Sequence, residues 1–298
     1  MSPPSAASID RADIARNGFA RFAWLALPHL TLVGRNPRWN WHVEEMCNNA
    51  EGWIRSERHH ELLVNVPPGS LKSTIFSVLL LPWIWTWWPQ HKQMCASYDA
   101  GLATSFAKQT LELLESDWYV ERWGMLVPEA TAQKDFMNIH GGRRFATTPG
   151  GGGVGVHGDS YLIDDPIKPR DVMNAGDKIG ARLQAVNQWI ASSVFTRARP
   201  GTPQKIGLVM QRLHEEDAAG FLEEHYSTVV KLRLPARYEP EEPCATPFGG
   251  DRRTAEGEPL WVAAMQNWER NVSANGGWDG ALAQCQYQQK PRPGASQI

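Results

Sequence analysis

Residues 64–74 read Val-Asn-Val-Pro-Pro-Gly-Ser-Leu-Lys-Ser-Thr. An apolar strand over Glu61–Val66 runs into a turn at Pro67–Leu71, and a helix is expected to start near Lys72. At such a turn, backbone N–H groups and the helix dipole converge on a phosphate. Pro68, Gly69, Ser70, Leu71, Lys72, Ser73 and Thr74 would then surround the phosphates of ATP. Lys72 would reach the β- and γ-phosphates, and the Ser73 hydroxyl would ligate Mg2+. The stretch departs from G-x-x-x-x-G-K-[ST] at both glycines, where the chain has Val66 and Leu71. Leu71 is the more serious departure, because it adds a side chain where the backbone would approach the phosphates. Taken alone, the stretch is explained equally well as an ordinary strand–turn–helix with an incidental Lys-Ser pair.

A second segment changes that balance. Tyr161-Leu-Ile-Asp-Asp is an apolar strand ending in two carboxylates, of the kind that lies beside the phosphate-loop strand in P-loop ATPases. The first, Asp164, would be the Mg2+ partner, and the second, Asp165, the general base toward the attacking water. The competing reading is a strand-end Asp-Asp-Pro turn. Together, Lys72, Ser73, Asp164 and Asp165 supply a phosphate clamp, a metal ligand, a metal partner and a base.

The elements that must position these groups alternate. Strands are expected at Glu61–Val66, Gln93–Tyr98, Arg144–Thr148, Ser160–Ile163, Ile206–Met210 and Val229–Leu234. Helices are expected at Trp39–Ile54, Ser73–Trp85, Ala100–Trp118, Ile179–Arg197 and Glu216–Glu224, with apolar residues at helical spacing. Alternation from about residue 60 to 235 predicts an α/β fold: a three-layer P-loop NTPase fold with a mainly parallel central sheet flanked by helices. Residues 1–20 are polar and small and read as a flexible N-terminal segment. Residues 21–236 form the expected ATPase domain. Residues 237–298, with Pro240, Pro243, Pro247, Gly249, Gly250, Gly257 and Pro259, read as an extended arm with short helices.

Composition narrows the class. The 298 residues are 42% hydrophobic with a net charge of −2, so nothing marks the whole chain as a nucleic-acid binder, although a local patch or a ring of several copies is compatible. Cys47, Cys95, Cys244 and Cys285 form no C-x-x-C pair and read as reduced cysteines of an intracellular protein. The first residues carry Asp10, Arg11, Asp13 and Arg16 with no apolar signal-peptide core. The longest apolar run, Ile75–Trp88, is broken by Ser77, Pro82 and Thr86 and falls short of the about 18 residues a membrane span needs. A cytoplasmic protein without a membrane segment is expected.

With these motifs in place, the chain resembles the ATPase part of the large terminase subunit of tailed bacteriophages, over about residues 20–293. Pro67-Pro-Gly-Ser-Leu-Lys-Ser-Thr is similar to that family's deviant phosphate loop, which tolerates a Leu before the Lys. Ala96-Ser-Tyr-Asp and the helix after it, Thr148-Pro-Gly-Gly-Gly-Gly-Val-Gly-Val-His-Gly-Asp, and Tyr161-Leu-Ile-Asp-Asp-Pro-Ile-Lys resemble further family segments. So do Val209-Met-Gln-Arg-Leu-His-Glu-Glu-Asp, Gly257-Glu-Pro-Leu-Trp and Tyr287-Gln-Gln-Lys-Pro.

The resemblance implies an ATP-driven motor that threads double-stranded DNA into a procapsid. It would work as a homo-oligomeric ring at the portal protein, with a small terminase subunit, in the cytoplasm of a bacterial host. It implies that Gln211 is the coupling residue that senses the γ-phosphate, supported by Arg212, and that Trp41–His42 lies near the adenine. Phosphoryl transfer also calls for an arginine late in the reaction. Arg143 or Arg144, acting from a neighbouring subunit, is the first candidate for that role, and Arg197 the second. The family's C-terminal nuclease domain has no room before Ile298, so nuclease activity is not carried over. A helicase-type P-loop ATPase and a non-hydrolysing structural or DNA-binding remnant are the competing readings.

Overall fold

A computed structural model describes residues 5–31, 38–127, 132–151, 157–173, 178–197 and 204–291. The chain opens with α1 (Ala6–Ala26) and α2 (Trp41–Arg55) and enters the sheet at β1 (Glu61–Asn65). A π-type turn (Thr74–Leu79) continues into α3 (Leu80–Trp85), followed by β2 (Lys92–Ser97), α4 (Ala100–Glu115) and α5 (Asp117–Trp123). Next come β3 (Asp135–Met137), β4 (Arg143–Thr147), β5 (Ser160–Asp164), α6 (Pro169–Met173) and α7 (Ile179–Trp189). The sheet is completed by β6 (Lys205–Met210), α8 (Ala218–His225) and β7 (Val230–Arg233). A small hairpin, β8 (Ala245–Thr246) and β9 (Gly249–Gly250), precedes α9 (Val262–Ala274).

The seven-stranded sheet has the order β3-β4-β2-β5-β6-β1-β7, parallel except for edge strand β3. Its central strands are covered on both faces, which is why they read as unbroken apolar runs. Leu62, Val64, Leu162 and Val209 pack into one cluster with α1–α5. Leu63, Tyr161, Ile163 and Leu208 face the other way, onto Ile190, Val194, Ala218 and Leu222. On β6, a Cβ at Gly207 would stand 2.9 Å from the Trp53 ring, so only glycine lets that indole lie on the strand. The mainly parallel, helix-flanked three-layer architecture expected from the alternation is the one observed. Among the described residues, no helix is long and apolar enough to cross a membrane.

Three expectations change. First, the acidic strand β5 does not lie beside β1. β1 is already paired on both edges, by β6 and β7, so β6 stands between the two motifs. Second, residues 6–20 of the segment read as flexible are helical and anchored. Ile14 and Phe19 are buried, the Arg122 guanidinium bonds Asp10 at 2.5 Å, and the Phe19 N–H donates to Glu51 at 2.7 Å where Gly18 (φ 69°) breaks the helix. Third, residues 237–291, read as an extended arm or linker with short helices closing the ATPase region, are held on the fold by a buried ion pair. Arg253 and Asp251, each 1% exposed, pair at 2.6 Å, and Arg253 also donates to the carbonyls of Pro235 and Glu258.

Removing one member of a buried, hydrogen-bonded ion pair leaves the other charge uncompensated. Asp251→Asn is therefore expected to cost about 3 kcal/mol of stability, read by urea denaturation with tryptophan emission. A loss below about 0.5 kcal/mol, the scale of an ordinary surface change, would show that the arm is not integral to the fold.

Candidate active site

The loop after β1 is closed by the Ser70 hydroxyl, which donates to the Pro67 carbonyl at 2.7 Å. Gly69 (φ 77°) and Leu71 (φ 65°) both adopt left-handed backbone. For leucine that conformation costs roughly 1–2 kcal/mol. The Leu71 side chain offsets it by packing against the main apolar cluster. Two loop carbonyls are held from outside: the Trp268 indole N–H donates to Pro68 O at 3.0 Å, and His42 Nε2 bonds Ser70 O at 3.2 Å. Because Ser70 O can only accept, His42 carries its proton on Nε2, and Nδ1 accepts from Asn40 Nδ2 at 2.6 Å. Burial pushes the His42 imidazole down to about 4, which keeps it neutral in this role. With those carbonyls bonded elsewhere, the N–H groups of Gly69 and Leu71 find no acceptor among the described residues. Such a set of free amides at a helix start is an anion cradle.

At the end of β5 the two carboxylates divide the neighbouring donors. Asp164 is 2% exposed. Its Oδ1 accepts from Ser73 Oγ at 3.1 Å and its Oδ2 from Ser77 Oγ at 2.7 Å. Burial first, then the adjacent Asp165, pushes the Asp164 carboxyl up to about 6, although Lys72 and the two hydroxyls pull it down. Asp165 sits in left-handed backbone (φ 43°), fixed by its N–H to Val209 O at 2.9 Å and its C=O from Tyr98 N at 3.2 Å. That turn aims its side chain at Lys72, whose Nζ lies 2.8 Å from Asp165 Oδ2. Burial depresses the Lys72 ammonium, but the carboxylates at 165 and 164 outweigh it and the net shift is upward. The Gln211 N–H approaches Asp165 Oδ1 at 3.3 Å, and the buried Gln211 Oε1 has no hydrogen-bond partner among the described residues.

Lys72, Ser73, Asp164, Asp165 and Gln211 thus meet at one end of the sheet, with Thr74 starting the π-type turn behind them. Others do not join them. Arg212 turns away, its Nε 3.1 Å from both Asp217 oxygens and its Nη2 on the carbonyls of His214 and Glu215. Arg143 opens β4 opposite Lys92, whereas Asp164 pairs with Ser97 at the far end of β2, so Arg143 stands at the opposite end of the sheet. There it is clamped to Asp135 at 2.5 and 2.6 Å. Arg144 is fully buried and cannot be extended to a neighbouring subunit. His42 is also fully buried, as a strut of the loop, and Trp41 lies beside Arg253 with 5.7 Å from guanidinium to ring. The Arg197 side chain and residues 152–156 of the glycine-rich approach lie outside the described residues.

Sequence reading missed four contributors. Ser77 had a local signal, because it follows Ser73 by one helical turn on the same face. Asn40 and Trp268 reach the site through the fold. So does Gln289, whose Oε1 accepts from Arg212 N at 2.8 Å, and a span of some eighty residues carries no local pattern.

No known protein family and no curated protein matches this chain in sequence. Among solved structures, the chain is similar to the crystal structure of the HK97 bacteriophage large terminase, with a TM-score of 0.56 and 10% identity over 92% of this chain and 55% of that one. An S. cerevisiae Dbp5 bound to Nup159, Gle1, IP6 and ADP aligns with a TM-score of 0.35 and 12% identity over 78% of this chain and 53% of that one. The chain spans about half the length of either protein. At these identities the likeness to the terminase is one of fold, and with the topology above it establishes a terminase-like P-loop NTPase fold.

A carboxyl whose folded pKa is raised from 3.8 to about 6 contributes stability that is present below about pH 4 and lost as pH rises through 6. Without nucleotide or divalent ions, Asp164→Asn should therefore melt above the wild type at pH 8. The difference should shrink on titration to pH 4.5. A melting-temperature difference independent of pH would show that Asp164 is not held in the neutral-favouring environment described.

Proposed function

We propose that the chain is the ATP-hydrolysing motor domain of a phage-type large terminase subunit, driving double-stranded DNA into a procapsid. The observation that carries the reading is the meeting of Lys72, Ser73, Asp164, Asp165 and Gln211 at one end of a terminase-like sheet, beside a loop with free amides. The portal protein, a small terminase subunit and further copies of the chain in a ring would be its partners.

The donor set fits Mg2+: a buried carboxylate and a hydroxyl, both hard oxygen ligands, at Asp164 and Ser73. When bound there, Mg2+ would neutralise charge on the β- and γ-phosphate oxygens. The loop amides and Lys72 bind the phosphates of ATP. As Lys72 turns to the phosphates it leaves Asp165, and substrate binding frees the carboxylate that must act. Asp165 then accepts the proton of the attacking water as the water oxygen bonds the γ-phosphorus and the bond to the ADP oxygen breaks. Gln211, tied to Asp165 through its N–H, has an unused side-chain carbonyl with which to orient that water or read the γ-phosphate.

Asp165→Asn isolates the chemistry, because asparagine tolerates the left-handed backbone at 165. Turnover should fall by about a hundredfold or more with nucleotide binding kept. Lys72→Ala should lose hydrolysis and weaken ATP binding. The measurements are fluorescent-nucleotide titration with Mg2+ and phosphate release with and without double-stranded DNA. Absence of saturable nucleotide binding by the folded protein, or wild-type turnover in Asp165→Asn, would sink this reading, and absence of DNA stimulation would sink the motor assignment.

A further inference from the structure

Arg144 is an unusual core residue. Its guanidinium is fully buried, and its Nε and Nη1 have no hydrogen-bond partner among the described residues. It also forms no ion pair among them. Its one described bond runs from Nη2 to the carbonyl of Ser77, at 3.0 Å. Ser77 is the residue whose hydroxyl holds Asp164 Oδ2.

The backbone is irregular at that carbonyl. Ser77 lies in the π-type turn, in which N–H groups bond carbonyls five residues earlier, as Leu80 N does to Ile75 O. The residue five after Ser77 and four after Val78 is Pro82, which has no N–H. Thr110 Oγ1 lies 3.5 and 3.4 Å from the two carbonyls, at the outer limit of a hydrogen bond. Arg144 makes the short, charge-assisted bond. An arginine from β4 thus bonds the backbone carbonyl of the residue whose hydroxyl holds the carboxylate.

We propose that Arg144 and Ser77 are positioning residues for Asp164: Arg144 fixes the Ser77 backbone, and the Ser77 hydroxyl fixes Asp164 Oδ2, so that Oδ1 is presented beside Ser73. The inference rests on the nucleotide–metal reading of the site. It assigns Arg144 to metal placement within its own subunit, in place of the inter-subunit role expected from sequence. The side-chain hydroxyl does the positioning, so threonine at 77 can substitute and alanine cannot.

The test is Mn2+ binding followed by electron paramagnetic resonance, on the full chain with a non-hydrolysable ATP analogue. In parallel, affinity for the fluorescent nucleotide is measured in EDTA. Ser77→Ala should weaken Mn2+ binding about tenfold and leave metal-free nucleotide affinity unchanged, while Ser77→Thr restores Mn2+ binding. Arg144→Lys keeps the charge but loses the planar fork, and should weaken Mn2+ binding severalfold with the circular dichroism spectrum kept. Wild-type Mn2+ affinity in Ser77→Ala would overturn the positioning role alone. Failure of the wild-type chain to bind Mn2+ with nucleotide would overturn the site reading and this proposal with it.

Discussion

Two carboxylates at the end of one strand share a single lysine. Asp164 and Asp165 are adjacent on the chain, and among the described residues the Lys72 ammonium is the cation paired with them, 2.8 Å from Asp165. Like charges this close, one of them buried, are costly without compensation. Much of the surrounding structure serves that imbalance. Two serines donate to Asp164, a left-handed turn points Asp165 away from it, and the Gln211 N–H takes up the remaining Asp165 oxygen. A site with one negative charge in excess, beside the loop amides, accords with the proposed binding of a phosphate together with a divalent cation.

The loop reaches that state without the glycines its motif leads one to expect. The sequence pattern treats Leu71 as an intruder on the phosphates, because a pattern records residue types and not directions. In the fold, positive φ turns the Leu71 side chain into the apolar cluster, and the strain is carried by packing. His42 and Trp268 then hold the loop carbonyls. The loop is shaped before any ligand arrives, so little ordering cost remains for binding.

What could be read from sequence follows from locality. β1, β5 and β6 are continuous apolar runs because both their faces are buried, and Lys72, Asp164, Asp165 and Gln211 sit at the ends of those runs, where a chemistry-bearing side chain is conspicuous. The helical residues 6–18 escaped because Gly18 interrupts the periodicity and small polar residues dilute Ile14, whereas the apolar segment from Phe19 reads as helical. The three-residue edge strand Asp135–Met137 was too short to register. Arg143 and Arg144 were misplaced for a different reason. An arginine before a glycine-rich loop is expected at the surface, and only the β2–β4 register shows that one lies at the wrong end of the sheet and the other inside it. Strand order is likewise non-local, and the insertion of β6 between β1 and β5 could not be seen in the chain.

That inserted strand has a mechanical meaning. β6 is in register with β1 over five residue pairs and with β5 over five more, all parallel. A load along the strands that pulled the loop away from the acidic carboxylates would have to shear one of these five-pair ladders rather than unzip it. This end of the sheet is therefore stiff along the strands, and in the proposed reaction Lys72 leaves Asp165 by side-chain rotation while the backbones that carry them stay in place. In the proposed motor, displacement would then pass to the arm bonded to this frame, which touches Pro68 through Trp268 and the Arg212 backbone through Gln289.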